Sequence, residues 1–89
     1  MIRRHLYFKG HVQGVGFRYT ARQIAEGYRV NGYVRNLADG RVELVAEGEE
    51  VEVRGFLDEL RAEMGSYIRQ TQDIPENYLG ELEGFHIKH

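Results

Sequence analysis

The 89-residue sequence contains no cysteine, no tryptophan and only one proline. Without cysteine the chain can form no disulfide, offers no thiol nucleophile and cannot build a thiolate metal site. No apolar run approaches the ~18–20 residues of a membrane-spanning helix. Nor does an apolar run of ~7–15 residues follow the first charges, as it would in a secretory signal. We therefore expect a small cytoplasmic protein with no membrane partner.

The chain also has little net charge, −2 at pH 7, but its charges are unevenly distributed. Residues 1–36 hold seven Lys or Arg and one acid, Glu26, whereas residues 37–89 hold five Lys or Arg and thirteen acids. A basic first third can attract a small anion. Taken alone, however, the pattern is better explained by strands and helices that differ in surface charge. The acidic remainder disfavours a nucleic-acid partner.

Hydrophobic periodicity predicts strands and helices along most of the chain. Residues 5–12, 30–37 and 41–47 are predicted strands, and the first of them shows the period of two that is typical of a half-buried strand. Apolar residues at helical spacing predict two helices; these are Phe17, Ala21, Ile24, Ala25 and Tyr28 in the first, and Val53, Phe56, Leu57, Leu60 and Met64 in the second. Residues 67–74 indicate a fourth strand ended by Pro75, and Phe85 and Ile87 indicate a short last strand.

Turn signals separate these elements and define a fold. Asp39-Gly40 predicts a tight turn between the second and third strands, and Gly65 is predicted to stop the second helix as a C′ residue. The resulting order is βαββαβ with an additional terminal strand. It predicts a ferredoxin-like α+β sandwich, in which two helices cover one face of a mostly antiparallel sheet. We expect residues 1–89 to form a single domain.

A glycine-rich segment between the first strand and the first helix is the first candidate site. It contains Gly14 and Gly16 and leads directly into Arg18. A strand, a glycine turn and a helix start can aim several backbone N–H groups at one anion, and an arginine there adds a planar fork of donors. A turn that needs glycine only for its geometry is the competing interpretation. The spacing matches neither a Walker loop nor a dinucleotide-binding loop.

Asn36 is the second candidate. The alternation places it on the same face as Val30, Gly32 and Val34, just before the predicted turn. A polar amide at the end of an otherwise buried face needs a hydrogen-bond partner. From this segment alone, an asparagine that caps the turn is the preferred interpretation.

Together the two segments resemble the signatures of a known family. Residues 10–18, with the run Val-Gln-Gly-Val-Gly-Phe-Arg, resemble the first signature of the acylphosphatases. Residues 32–43, in which Gly-Tyr-Val-Arg-Asn precedes Asp-Gly-Arg-Val-Glu, resemble the second. The separation of the signatures and the element order also fit, so the resemblance covers nearly the whole chain. The departures are His11, where the family usually has Arg or Lys, and Tyr33, where it often has Trp.

The resemblance implies a function and a set of site residues. The backbone amides of the phosphate-binding loop would hold a phosphate: Gln13, Gly14, Val15, Gly16, Phe17 and Arg18. The guanidinium of Arg18 would bind the same phosphate, and Asn36 would orient the attacking water. The implied substrate is a small acyl phosphate, a carboxylic–phosphoric mixed anhydride, which is split to a carboxylate and inorganic phosphate. No metal or cofactor is implied, and we expect a monomer.

Other functional side chains are scarce. The four histidines are not grouped for metal binding, because His5 and His11 fall on the polar face of the first strand and His86 and His89 lie in the tail. We expect them to be solvated. The only serine, Ser66, follows a helix stop, which makes a serine nucleophile improbable.

Two alternative functions remain open. The first is a ferredoxin-like binding module for an anion or RNA, because residues 14–19 weakly resemble an aromatic RNA-recognition motif; that motif, however, belongs on a central strand with its aromatics exposed. The second is a regulatory acylphosphatase-like domain that lacks activity or was cut from a larger enzyme. Met1 and the full element order favour a free-standing protein, and the presence of Arg18 and Asn36 favours an active one.

Overall fold

A computed structural model describes all 89 residues, which form two helices and five strands. In chain order these are β1 (Ile2–Gly10), α1 (Phe17–Ala25), β2 (Val30–Asn36), β3 (Val42–Gly48), α2 (Glu50–Met64), β4 (Ile68–Glu76) and β5 (Phe85–Lys88). The strands form one sheet in the order β4-β1-β3-β2-β5. Neighbouring strands are antiparallel except for β2 and β5, which are parallel. The predicted ferredoxin-like sandwich with an extra terminal strand is therefore confirmed.

The core lies between the two helices and one face of the sheet. Alternate residues of the central strands point into it, among them Leu6 and Phe8 of β1 and Leu44 of β3, all fully buried. The predicted apolar stripes of both helices are confirmed, since every member is buried except Tyr28, which packs against the edge of the core. Neither helix is long and apolar enough to cross a membrane.

The structure corrects three predicted boundaries. β1 covers Ile2–Gly10 rather than residues 5–12. β4 does not end at Pro75 but continues to Glu76; because β4 is an edge strand that pairs only with β1, the missing N–H of proline is tolerated there. Gly65 follows the last residue of α2 but keeps right-handed dihedrals (φ −58°, ψ −33°) and begins a 3₁₀ turn, so it is not a left-handed C′ stop.

The face of the sheet that points away from the helices, here called the open face, carries a network of charged side chains. Glu43 of β3 is buried and accepts hydrogen bonds from Arg35 and from His5 Nε2, the latter at 2.7 Å. His5 Nδ1 lies 2.9 Å from Glu76. The expectation of a solvated His5 was therefore wrong: the side chain is only 15% exposed and bridges two carboxylates. Burial would raise the pKa of Glu43, but His5 and Arg35 lower it below its ordinary value.

A second buried acid fastens the segment between β4 and β5 to the open face. Glu47 of β3 accepts hydrogen bonds from Arg3 Nη1 at 3.0 Å and from the backbone N–H groups of Leu79 and Gly80 at 3.0 and 3.2 Å. Burial would raise the pKa of this carboxyl, but the Leu79 amide, Arg3 and the Gly80 amide together lower it. The segment between β4 and β5 therefore crosses the open face of the sheet and is held there by the buried carboxylate of Glu47.

Candidate active site

The loop that follows β1 is fixed at both of its ends by the core. Val12 is buried just after the strand, and Phe17, the first residue of α1, is buried against Phe8 with their ring centroids 5.1 Å apart. Between these two anchors Gly14 and Gly16 both have a φ of 78°, a left-handed conformation that favours glycine. Sequence and core packing therefore impose the sharp path of residues 13–16.

The backbone N–H groups of this loop make no hydrogen bonds within the chain. None of residues 13–16 donates a backbone hydrogen bond to a turn, strand or helix, and the N–H groups of Phe17, Arg18 and Tyr19 belong to the first turn of α1, which has no intrahelical acceptors. No side-chain oxygen caps this helix. A consecutive set of free donors at a helix N-terminus is a favourable environment for an anion.

Arg18 extends from the first turn of α1 beside this loop. It forms no ion pair with any Asp or Glu, in contrast to Arg3, Arg4 and Arg35. Its Nη1 atom lies 3.5 Å from Nδ1 of His89, a neighbour that the sequence did not predict. The positive charge of Arg18 is thus available to a ligand.

Asn36 lies at the carboxyl end of β2, opposite Val42 of β3. The Oδ1 atom of Asn36 is buried and has no hydrogen-bond partner. The turn that follows is closed by backbone bonds, Leu37 N–H to Arg41 O and Gly40 N–H to Leu37 O, together with a bond from Arg41 N–H to the Asp39 carboxylate. Asn36 therefore does not cap the turn. The turn-capping role, which was the preferred interpretation of this segment alone, was wrong.

One cavity brings these groups together. It has a volume of about 200 Å³ and is lined by Val12, Gly14, Gly16, Phe17, Arg18, Tyr19 and Asn36. Since a water molecule in the liquid occupies about 30 Å³, the space exceeds that of a single water. A larger depression of about 520 Å³ lies between the helices, but Glu59 and Glu63 line it, which disfavours an anionic ligand.

Besides the contact of Arg18 with His89, sequence reasoning missed a contact made by Gln13. The side chain of Gln13 leaves the loop and donates both hydrogens of its Nε2 group, to Leu37 O at 2.8 Å and to Arg41 O at 3.0 Å. It thereby connects the loop to the turn that follows Asn36. The sequence gives no signal for this contact beyond the glutamine itself, because both acceptors are backbone oxygens more than twenty residues away.

The chemical capacity of the cavity follows from its lining. It offers backbone donors and a guanidinium for a dianion, and an unpaired carbonyl oxygen that can accept a hydrogen bond from water. Neither a carboxylate nor an imidazole lines it. The chain has no group of three or more His, Asp or Glu side chains placed to hold a metal ion. Such a site favours binding and positioning over strong acid–base catalysis.

Comparison with known proteins gives a consistent result. The acylphosphatase family model matches residues 4–87. An acylphosphatase of Syntrophus aciditrophicus is 46% identical over 88 residues, covering 98% of this chain and 92% of that protein. The crystal structure of acylphosphatase from Bacillus subtilis superposes with a TM-score of 0.88 at 29% identity, covering both chains fully. The crystal structure of T. kodakarensis HypF also matches, with a TM-score of 0.84 at 31% identity, although the match covers 12% of that longer chain.

Proposed function

Because this chain belongs to the acylphosphatase family, we propose that it hydrolyses acyl phosphates by binding the phosphoryl group in the loop of residues 13–18 and placing the attacking water with Asn36. One observation carries the proposal. Asn36, whose buried Oδ1 is unpaired, lines the same cavity as Arg18 and the glycines of a loop whose N–H groups have no acceptor within the chain.

Binding of the phosphoryl group follows from charge and geometry. Gly14 and Gly16 of the loop and the first turn of α1 line the cavity, and their N–H groups have no acceptor within the chain. Arg18 adds a bidentate donor that no carboxylate neutralises, and arginine binds phosphate oxygens in this way. Donors already fixed by the loop stabilise the charge on the equatorial oxygens in the transition state without further reorganisation.

Attack by water then needs orientation rather than a strong base. A carboxylate is a good leaving group, so the acyl–phosphate bond requires no general acid of its own. Oδ1 of Asn36 accepts a hydrogen bond from the water and holds it in line with the breaking bond. The second proton of the water passes to a phosphoryl oxygen of the substrate, and the products are a carboxylate and inorganic phosphate.

The alternative of an RNA-binding module is not favoured. Phe17 of the weak motif is 2% exposed and belongs to the core. On the open face, where such a module would stack bases, Tyr7 is packed between His5 and Arg41 and lies beside the buried carboxylate of Glu43. The Syntrophus aciditrophicus and Bacillus subtilis proteins reported above are named acylphosphatases, and this chain matches both over nearly their full length.

The two proposed residues have separable roles, and substitutions can distinguish them. Arg18→Ala should weaken both competitive inhibition by phosphate and turnover of benzoyl phosphate, and Arg18→Lys should restore little because an ammonium lacks the two-pronged geometry. Asn36→Ala should lower kcat by ~10²-fold or more while phosphate inhibition changes little.

Circular dichroism and urea titration provide the folding control for both variants. Neither residue belongs to the apolar core, so both variants should unfold close to the wild-type midpoint. A folded Asn36→Ala protein with near-normal kcat would show that this residue does not place the water. Undiminished phosphate inhibition in Arg18→Ala would show that the anion binds elsewhere.

A further inference from the structure

The two halves of the site come from distant parts of the chain. Residues 13–18 follow β1, whereas Asn36 ends β2, and the two segments share no backbone hydrogen bond. The side chain of Gln13 is the polar contact that joins them, through its bonds of 2.8 and 3.0 Å to the carbonyl oxygens of Leu37 and Arg41. Leu37 is the residue directly after Asn36.

We propose that Gln13 is a positioning residue, whose carboxamide fixes the distance between the phosphate-binding loop and Asn36 and so holds the attacking water in line with the bound phosphoryl group. The inference rests on the role proposed above for Asn36. Beyond the backbone N–H that the loop contributes to phosphate binding, it assigns a task to the side chain of Gln13.

The hydrogen bonds around the turn argue against a purely structural role. Leu37 O also accepts from Gly40 N–H at 3.1 Å, and Arg41 O also accepts from Leu37 N–H at 2.8 Å. Each carbonyl oxygen has two lone pairs, so each keeps one partner when Gln13 is replaced. Because no buried carbonyl is left unpaired, the stability cost of losing Gln13 is small. The contact therefore contributes more to the alignment of the loop with Asn36 than to the stability of the fold.

The geometry also suits this task. Val12 and Phe17 anchor the loop in the core on either side, but residues 13–16 donate no backbone hydrogen bond, and Gly16 O accepts one from Thr20 N–H. A single NH₂ group with both hydrogens on two carbonyls of one turn restricts movement in two directions. A displacement of about 1 Å between water and phosphorus is enough to lower a rate by ~10²-fold.

The test is a double-mutant cycle between Gln13 and Asn36. Gln13→Met has a similar length and lacks the donors, and Gln13→Glu preserves the shape but presents a carboxylate to two carbonyl oxygens. Each should lower kcat for benzoyl phosphate by between ~10-fold and ~10²-fold, with the phosphate inhibition constant nearly unchanged. In the Asn36→Ala background the same substitutions should lower kcat by less than about threefold, because coupled residues are not additive.

Gln23→Met is the matched control, since Gln23 is an exposed glutamine on α1. It should leave kcat unchanged. Equal losses from the Gln13 substitutions in both backgrounds, or a phosphate inhibition constant that rises in step with the loss of kcat, would overturn the positioning role. So would normal kcat in both Gln13 variants. If Asn36→Ala alone retains full turnover, the water-placing role and this inference both fail; if only the Gln13 variants retain it, the proposed function stands and this inference falls.

Discussion

Replacement of Glu47 by glutamine should lower the free energy of unfolding substantially. The carboxylate is 1% exposed and accepts three hydrogen bonds, from Arg3 and from the N–H groups of Leu79 and Gly80. Glutamine preserves the shape but not the charge, and it presents an NH₂ group to at least one of these donors. The substitution thus places a hydrogen-bond donor of the glutamine against a donor of Arg3, Leu79 or Gly80 at a buried position.

The magnitude follows from the three bonds. A hydrogen bond to a charged group contributes ~1.5–3 kcal/mol, and removal of one partner from a buried ion pair costs ~3–5 kcal/mol. The glutamine oxygen retains one bond, and Arg3 keeps Glu76 as a second partner at 2.9 Å, which places the expected loss near the lower limit. We expect a loss of ~3 kcal/mol, against a total stability of ~4–13 kcal/mol for a chain of this length.

Urea denaturation at pH 7, followed by circular dichroism, measures this loss. Glu50→Gln is the control, since it removes an exposed partner of Arg54 on α2 and should not change the midpoint measurably. The sign of the pH effect is also fixed. Because folding lowers the pKa of Glu47, its stabilisation is present above the ordinary glutamate pKa of 4.5 and is lost as the pH falls through the folded pKa. The difference between wild type and Glu47→Gln should therefore shrink on acidification.

Two results would refute this reasoning. The first is a Glu47→Gln protein as stable at pH 7 as the Glu50→Gln control, which would mean that Glu47 does not hold the segment between β4 and β5. The second is a stability difference that stays constant as the pH falls below the pKa of Glu47, which would mean that the charge of the carboxylate is not the cause.

Two further predictions concern the sheet and the chemistry. Gly32→Ala should destabilise the fold by ~3 kcal/mol or more, because a Cβ at this position would lie 1.9 Å from Val45 O. In the control Gly27→Ala the nearest neighbour of the new Cβ lies at 3.5 Å, so this variant should unfold at the wild-type urea midpoint. Equal urea midpoints for the two variants would show that Gly32 has room for a Cβ. Exhaustive chelation should leave the hydrolysis of benzoyl phosphate unchanged, because the proposed mechanism uses only loop amides, Arg18 and Asn36, and a loss of rate that a divalent ion restores would contradict it.

Most of the fold follows from local pattern. The alternation in β1 and the stripes of both helices are properties of short segments, and the structure buries the residues that they indicated. The resemblance singled out Arg18 and Asn36, and the structure brings both to one cavity. Their catalytic roles remain a proposal that the substitutions above would test.

What the sequence did not predict depends on contacts between distant segments. On β3, Glu43 and Glu47 occupy positions that alternation assigns to a solvent face, and they are buried because arginines and the segment after β4 cover them. His5 was assigned to solvent for the same reason. Gln13 donates to backbone carbonyls, whose positions no side-chain pattern encodes. Pro75 was predicted to end the fourth strand, but a strand can contain a proline when it lies at the edge of a sheet, and the sequence does not show that β4 is an edge strand.

The strand order has a consequence for how the chain folds as it leaves the ribosome. β1 is synthesised first, yet both of its neighbours, β3 and β4, come later, and the second pairing joins Arg3 to Glu76. The edge of β1 that faces β3 can pair once residue 48 has been made, whereas the edge that faces β4 stays unpaired until residues 68–76 have followed. Pairings so distant in sequence close slowly. Since the phosphate-binding loop follows β1 directly, the strand that carries this loop is paired on both edges only after β4 has been made.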